Sequence, residues 1–273
     1  MSEVFLTDLD HTFLRNDLTV SNFSKNVWNK MALRHTMSVA TARAHKKTKQ
    51  FLQNLNINAP MVLLDGSLIV ADDKIIDKKT LNKEITTEII NLGLKHALKP
   101  FILAQKGKKL NEVFLYPKDG NEYQSKLLSR YINDDHLVLV DDAYAMDENF
   151  KISYMADEKI LTKFAKELHE IFADNIKYIL APEAYMGCFY LTVLNPQADK
   201  STGLQIINDY LNLDFKNYTV FGDNFNDIGM FELAGTSVAV ANAQIKVKEL
   251  ADIVLPHTND EDAVAKYLKK LNL

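Results

Sequence analysis

The sequence predicts an α/β protein: an open parallel sheet built from the two ends of the chain, with an α+β unit inserted between them. Three observations lead to this. Short β-prone runs alternate with helix-spaced runs near the N-terminus, the same rhythm returns after Lys200, and in between the strands come in pairs separated by helices. Repeated β-α-β units imply a parallel sheet with right-handed crossovers, whereas paired strands between helices imply a separate α+β layer. No internal repeat, Pro/Gly-rich linker or low-complexity tract is visible. The boundaries therefore rest on the change of rhythm, which assigns 1–80 and 188–273 to the core and 81–187 to the insertion.

Each element follows from its pattern. Val4 to Thr7 reads as a strand. Ser21 to Arg34 reads as a helix, with Ser21 or Asn22 as N-cap and Phe23, Val27 and Met31 on one stripe. Met37 to Ala40 is a second strand, ending at Thr41-Ala42-Arg43, and a polar helix follows over Ala44 to Leu55. Met61 to Leu64 is a third strand, ending at Asp65-Gly66-Ser67. In the middle, Pro100 to Ala104 and Asn111 to Tyr116 form adjacent strands across a turn carrying Lys106, Lys108 and Lys109. Glu122 to Ile132 is helical, and His136 to Val140 and Ile152 to Met155 are strands. Asp157 to Phe172 is an amphipathic helix with Phe164, Leu168, Ile171 and Phe172 at helical spacing, followed by strands at Ile176 to Leu180 and Phe189 to Val193. The end of the chain gives a helix at Lys200 to Leu211 and a strand at Tyr218 to Phe221. A helix from Asp227 to Leu233 and a strand at Ser237 to Val240 come next. A helix at Gln244 to Leu250, a strand at Ile253 to Leu255 and a last helix at Glu261 to Leu271 complete it.

Composition limits the function classes. The 273 residues suffice for one large core or two domains, and 47% apolar with 25% charged residues is ordinary for a globular protein. A net charge of −4 implies no general basic surface for nucleic acid. The single cysteine, Cys188, can form neither an internal disulfide nor a cysteine-rich zinc site, and reads as a small buried residue. Glu3, Asp8 and Asp10 near the N-terminus do not resemble a secretory signal, and no apolar run is long enough to span a bilayer. A cytoplasmic protein is expected, monomeric or homodimeric.

Two acidic clusters carry the chemistry. Val4-Phe5-Leu6-Thr7 runs into Asp8-Leu9-Asp10, and Tyr218-Thr219-Val220-Phe221 runs into Gly222-Asp223-Asn224-Phe225-Asn226-Asp227. Ligands of open α/β sheets bind beyond the carboxyl ends of the strands, where Asp8, Thr41, Asp65 and Asp223 are all expected. Four aspartates in one pocket repel unless a cation joins them, and Mg²⁺ takes oxygen ligands. Asp8 and Asp10, two apart on an extended segment, share a side. They form either a nucleophile with a general acid/base or a solvated loop pair. Asp223 and Asp227 suit metal support or helix capping. Thr41 offers a hydroxyl to phosphate or satisfies its own turn. Lys200 opens a helix against the macrodipole, which favours a specific partner over a solvated position.

Asp8-Leu9-Asp10-His11-Thr12-Phe13-Leu14, Ala40-Thr41-Ala42-Arg43, Asp199-Lys200-Ser201-Thr202-Gly203-Leu204 and Gly222 to Asp227 resemble, in order and spacing, the four motifs of the haloacid dehalogenase superfamily. The insertion between the second and third motifs resembles the Cof-type branch. The resemblance implies a Rossmann-like core with a type IIB cap and an Mg²⁺-dependent phosphatase acting through an aspartyl-phosphate. It makes Asp8 the nucleophile and Asp10 the acid/base. Thr41, Ala42, Arg43 and Lys200 would lie at the substrate phosphate. Asp8, the Asp10 backbone carbonyl and Asp223 would hold Mg²⁺, with Asn226 and Asp227 in support. The expected partner is a small phosphorylated metabolite, with sugar phosphates leading and pyridoxal phosphate or flavin mononucleotide next. A sugar phosphomutase and a persistent aspartyl-phosphate switch are the alternatives.

The chain departs from the pattern at His11, Ala42 and Ala241, where the family commonly has glycine, and at Asp65, where it often has asparagine. In the insertion, Tyr144, Tyr185, Met186 and Phe189 are pocket candidates or core residues. His136 and His169 lack partners at metal spacing, and the three-lysine turn reads as a solvated tip.

Overall fold

A computed structural model describes residues 3–132, 136–183 and 187–271. The chain forms two compact units, one from 1–78 with 199–273 and the other from 79–198.

In the first unit, β1 (Val4–Thr7) is buried on both faces, as a central parallel strand requires. α1 (Asn22–Met31) starts where the Ser21 side chain accepts from Ser24 N, and it buries Ser24, Trp28 and Met31. The expected stripe of Phe23 and Val27 is only half-buried, because Trp28 turns inward against Phe13 instead. β2 (Thr36–Val39) leads to the short α2 (His45–Phe51) and to β3 (Met61–Leu63). β3 joins β2 through one parallel bridge, Ala40 to Val62, and then pairs antiparallel with β4 (Leu68–Ala71), which pairs with β5 (Lys74–Lys78). The sequence reading had no β4–β5 hairpin. Its turn is Asp72-Asp73, both left-handed, a conformation that Asp tolerates better than most residues.

The second unit begins with α3 (Lys83–Lys95), capped by Asn82, then β6 (Phe101–Gln105), β7 (Glu112–Pro117), α4 (Glu122–Tyr131) and β8 (Leu137–Val140). β9 (Glu148–Ala156), α5 (Glu158–Phe172), β10 (Lys177–Glu183) and β11 (Cys188–Leu194) complete it. The sheet order is β10-β11-β9-β6-β7-β8, antiparallel except for the β7–β8 pair. One core joins sheet residues Ile102, Ile152 and Leu191 to Ile89 of α3 and to Leu161, Phe164 and Leu168 of α5. Ile171 was expected on that stripe but is 55% exposed, since it lies off the face carrying Phe164, Leu168 and Phe172. A second cluster holds Phe101, Tyr116, Leu127, Met155 and Cys188. The sequence placed 188–194 in the core unit. β11 instead pairs with β9 and β10, so the compact unit runs to Ala198.

The first unit resumes with α6 (Lys200–Leu211), β12 (Tyr218–Gly222), α7 (Ile228–Leu233) and β13 (Thr236–Ala239). α8 (Ile245–Leu250), β14 (Ile253–Val254) and α9 (Ala263–Lys270) follow. The parallel sheet has the order β14-β13-β12-β1-β2. The first and last helices, α1 and α9, pack together. No helix among the described residues is long and apolar enough to cross a membrane.

Candidate active site

The register of β1 sets the site. Thr7 pairs with Phe221 on one side and Val39 on the other, so Asp8, Thr41 and Asp223 leave neighbouring strands at the same sheet end. Asp8 N donates to Phe221 O at 2.9 Å, which carries the ladder one residue past the strand. The chain then turns through Leu9–Phe13, with His11 in the left-handed region at φ 58°. Its carbonyl is held there by Asn242 Nδ2 at 2.7 Å, and Asn242 Oδ1 accepts from Asn259 N. The Ala241-Asn242-Ala243 turn thus braces the first acidic loop.

Lys200 is the hub. Only 1% exposed, it places Nζ 2.6 Å from Asp8 Oδ1 and 2.7 Å from Asp227 Oδ1. It opens α6, N-capped by Asp199, whose side chain accepts from Ser201 N. Asp227 uses its other oxygen to accept from Asp223 N and Asn224 N at 3.0 and 3.1 Å. It therefore fixes both the lysine and the β12 loop. Gly222 is required beneath it, because a Cβ there would lie 2.6 Å from the Asp227 carboxylate. Asp223 accepts from Thr12 Oγ1 at 3.0 Å, and its backbone O accepts from Gln244 N.

The carboxylates outnumber their cation. Asp8, Asp223 and Asp227 are all buried, and each offers an oxygen within 4.8 Å of the others. Burial pushes the Asp8 carboxyl well above the usual range; Lys200 pulls it back, while Asp227 and Asp223 push it further up. Burial, with Asp227 beside it, raises Asp223 to about 6. Burial would depress the Lys200 ammonium, but Asp227 and Asp8 outweigh it and hold the ammonium strongly protonated. Three buried carboxylates around one ammonium leave an excess of negative charge, which suits a hard divalent cation with oxygen ligands.

The remaining predicted residues surround this centre. Thr41 is fully buried; its N donates to Val62 O, and its hydroxyl accepts from Arg43 N at 3.2 Å. Ala42 is half-buried beside it. Arg43 forms a two-pronged pair with Asp10, Nε to Oδ2 at 2.7 Å and Nη2 to Oδ1 at 2.5 Å. Asn226 donates to Asp65 Oδ1 at 3.0 Å. Asp65 is buried in a run of three left-handed residues, Leu64, Asp65 and Gly66, a backbone that explains why a short polar side chain stands there. Asp65 also contributes to holding the Lys200 proton.

Thr12, the Asp65–Asn226 bond and the hold of Asn242 on His11 are the supports that sequence reasoning did not single out, although the Ala241-Asn242-Ala243 turn itself resembles the family's. Nothing local to those residues announces partners so distant in the chain. In the insertion, Tyr144 is 53% exposed and Phe189 packs on the main core. Tyr185 and Met186 lie outside the described residues. His136 Nδ1 lies against Glu112 O, His169 against the Tyr178 ring, and Lys106, Lys108 and Lys109 are exposed at the β6–β7 turn.

Comparisons agree with this architecture. The chain is 23% identical over 269 residues to 5-amino-6-(5-phospho-D-ribitylamino)uracil phosphatase YitU of Bacillus subtilis, covering 96% of this chain and 95% of that protein. The TM0651 structure from Thermotoga maritima superposes with a TM-score of 0.79 at 26% identity, over 99% of this chain and 97% of that one. A haloacid dehalogenase-like hydrolase from Bacteroides thetaiotaomicron gives a TM-score of 0.84 at 20% identity, over 99% and 100% of the two chains. The family of haloacid dehalogenase-like hydrolases matches residues 5–268, and the chain belongs to it.

Proposed function

We propose that this phosphatase hydrolyses small phosphomonoesters through a phosphoryl group carried transiently on Asp8. The observation that carries the reading is the Lys200 hub: one buried ammonium holds Asp8 on one side and the β12 loop acid Asp227 on the other.

Asp8 attacks phosphorus, and the ester oxygen leaves with a proton from Asp10. Water then attacks the phosphoryl group, gives its proton to Asp10, and releases phosphate and Asp8. Lys200 orients the attacking carboxylate and offsets its charge as the phosphate approaches. Thr41 and the adjacent Ala42 amide would donate to the phosphoryl oxygens, with Thr41 buried at the end of β2 in support. Asp8, the Asp10 carbonyl and Asp223 would hold Mg²⁺, supported by Asn226 and Asp227. The ion would supply neutralisation of charge on the transferring group.

Sugar phosphates lead the substrate classes, followed by pyridoxal phosphate and flavin mononucleotide. The name of the B. subtilis relative adds a phosphorylated ribityl pyrimidine to the set to be tried. The test is phosphate release from such a panel with Mg²⁺, with chelator, and with Asp8→Asn. Release that needs both metal and Asp8 supports the reading. Undiminished release from Asp8→Asn overturns it, and an isomerised phosphate ester in place of free phosphate identifies a mutase.

A further inference from the structure

We propose that Arg43 is the positioning residue of Asp10 rather than a ligand of the substrate phosphate; this rests on reading Asp10 as the acid and base of the reaction. Asp8 is fixed by Lys200 and buried, whereas the Asp10 side chain is 35% exposed on a loop. The Arg43 guanidinium engages both of its oxygens, at 2.7 and 2.5 Å. A planar guanidinium meeting a carboxylate on two parallel bonds fixes the carboxyl plane as well as its position.

Arg43 is itself fixed from several sides. Its guanidinium carbon lies 4.4 Å from the centre of the Phe51 ring on α2, a stacked cation–π contact. Its N donates to Thr41 Oγ1 at 3.2 Å, and its carbonyl accepts from Leu64 N at 3.1 Å, at the first of the three left-handed residues after β3. The β2 loop, α2 and the β3 turn therefore all set where Asp10 points.

The chemistry needs that constancy. In the first step the Asp8–phosphorus bond forms, the ester P–O bond breaks, and the departing oxygen takes the Asp10 proton. In the second, water oxygen bonds to phosphorus, its proton goes to Asp10, and the P–O bond to Asp8 breaks. Asp10 alternates between acid and carboxylate. A protonated carboxyl still accepts at its carbonyl oxygen, so at least one bond to Arg43 survives in both forms. Proton transfer depends on holding the group within hydrogen-bond reach of the reacting oxygen.

The experiment compares Arg43→Gln, Arg43→Lys, Asp10→Asn and the double variant Arg43→Gln/Asp10→Asn on two esters. One is an alkyl phosphate, whose alkoxide needs a proton to leave; the other is a nitrophenyl phosphate, whose leaving group does not. kcat/KM reports the chemistry through transfer of the phosphoryl group to Asp8. For Arg43→Gln we expect kcat/KM on the alkyl ester to fall about ten- to a hundredfold, with a loss below about threefold on the nitrophenyl ester. Inhibition by inorganic phosphate should change by less than about twofold, and adding Arg43→Gln to Asp10→Asn should cost less than about twofold more. Arg43→Lys, which cannot reproduce the two-pronged pair, should fall between.

Equal losses on both esters with weakened phosphate inhibition, additive with Asp10→Asn, would make Arg43 a phosphate ligand and overturn the proposal. A uniform loss accompanied by a lowered melting temperature in both Arg43 variants would mark it as structural, with the same consequence. If Asp10→Asn itself leaves the ratio between the two esters unchanged, the acid reading of Asp10 fails, and the proposal with it.

Discussion

Lys200→Met is the substitution whose cost follows most directly from the geometry. It removes an ammonium 2.6 Å from Asp8 and 2.7 Å from Asp227, with the lysine and both acids buried. Removing one partner of a buried ion pair costs about 3–5 kcal/mol, because the other charge stays buried without compensation. A second route gives a similar figure. The variant can protonate one orphaned carboxyl, and near neutral pH that costs about 4 kcal/mol for a group with an unfolded pKa of about 3.9. The sign with pH follows from the same exchange. In the variant the folded state binds a proton that the unfolded chain has released, so its stability falls as pH rises. The deficit against the parent protein should therefore shrink on acidification, by at most about 1.4 kcal/mol for each pH unit, because the raised Asp8 and Asp223 carboxyls of the parent also take up protons as pH falls. Urea unfolding of both proteins at neutral and mildly acidic pH reads this, with chelator present so that bound cations do not replace the ammonium. A variant within about 0.5 kcal/mol of the parent at neutral pH, or a deficit that grows on acidification, would mean that Lys200 does not compensate the buried acids.

Gly66→Ala should destabilise by about 2 kcal/mol or more and lower activity as well, since the new Cβ would lie 2.1 Å from Asp199 O at the start of the helix that carries Lys200; melting temperature and turnover measured together check this. His11→Gly should be neutral or stabilising by up to about 1 kcal/mol, because His11 occupies φ 58° in the left-handed region, and thermal unfolding gives the answer. Asp262→Asn should cost about 1 kcal/mol near neutral pH, since Asp262 pairs with Arg15 at 2.8 Å and accepts from Ser24. Burial alone would raise that carboxyl, but hydrogen bonds from Arg15, Ser21 and Ser24 outweigh it and hold it below the usual range. Its stabilisation is therefore present above the unfolded pKa and lost as pH falls through the folded one. The gap between parent and variant in pH-dependent unfolding should close on acidification.

The β-α-β rhythm was legible because parallel strands such as Val4–Thr7 are buried on both faces and stop abruptly at polar residues. That same contrast placed Asp8, Thr41, Asp65 and Asp223 at strand ends. The β4–β5 hairpin was missed because Leu68–Ala71 follows Asp65-Gly66-Ser67 so closely that the earlier turn read as the end of the local sheet. α3 was missed although Asn82 caps it and Ile85 and Ile89 lie at helical spacing. The second crossing was placed too early because Cys188–Leu194 reads equally well as a strand of either unit, and only its pairing with β9 and β10 decides. The wiring of the site was the least legible part. Arg43 to Asp10, Asn226 to Asp65 and Asn242 to His11 are tertiary pairings, and no local pattern encodes them. The departures at His11 and Asp65 now have a backbone reason, since both occupy the left-handed region, where His and Asp are tolerated better than most residues.

The measurement that bears most directly on the account is a rapid acid quench during turnover of a nitrophenyl phosphate with Mg²⁺, followed by mapping of the phosphorylated peptide. Phosphoryl is expected on Asp8, formed and lost at rates no slower than turnover, and accumulating further in Asp10→Asn, where water lacks its base. Hydrolysis that continues with no phosphoryl on Asp8 at any time, and that survives Asp8→Asn, would contradict it.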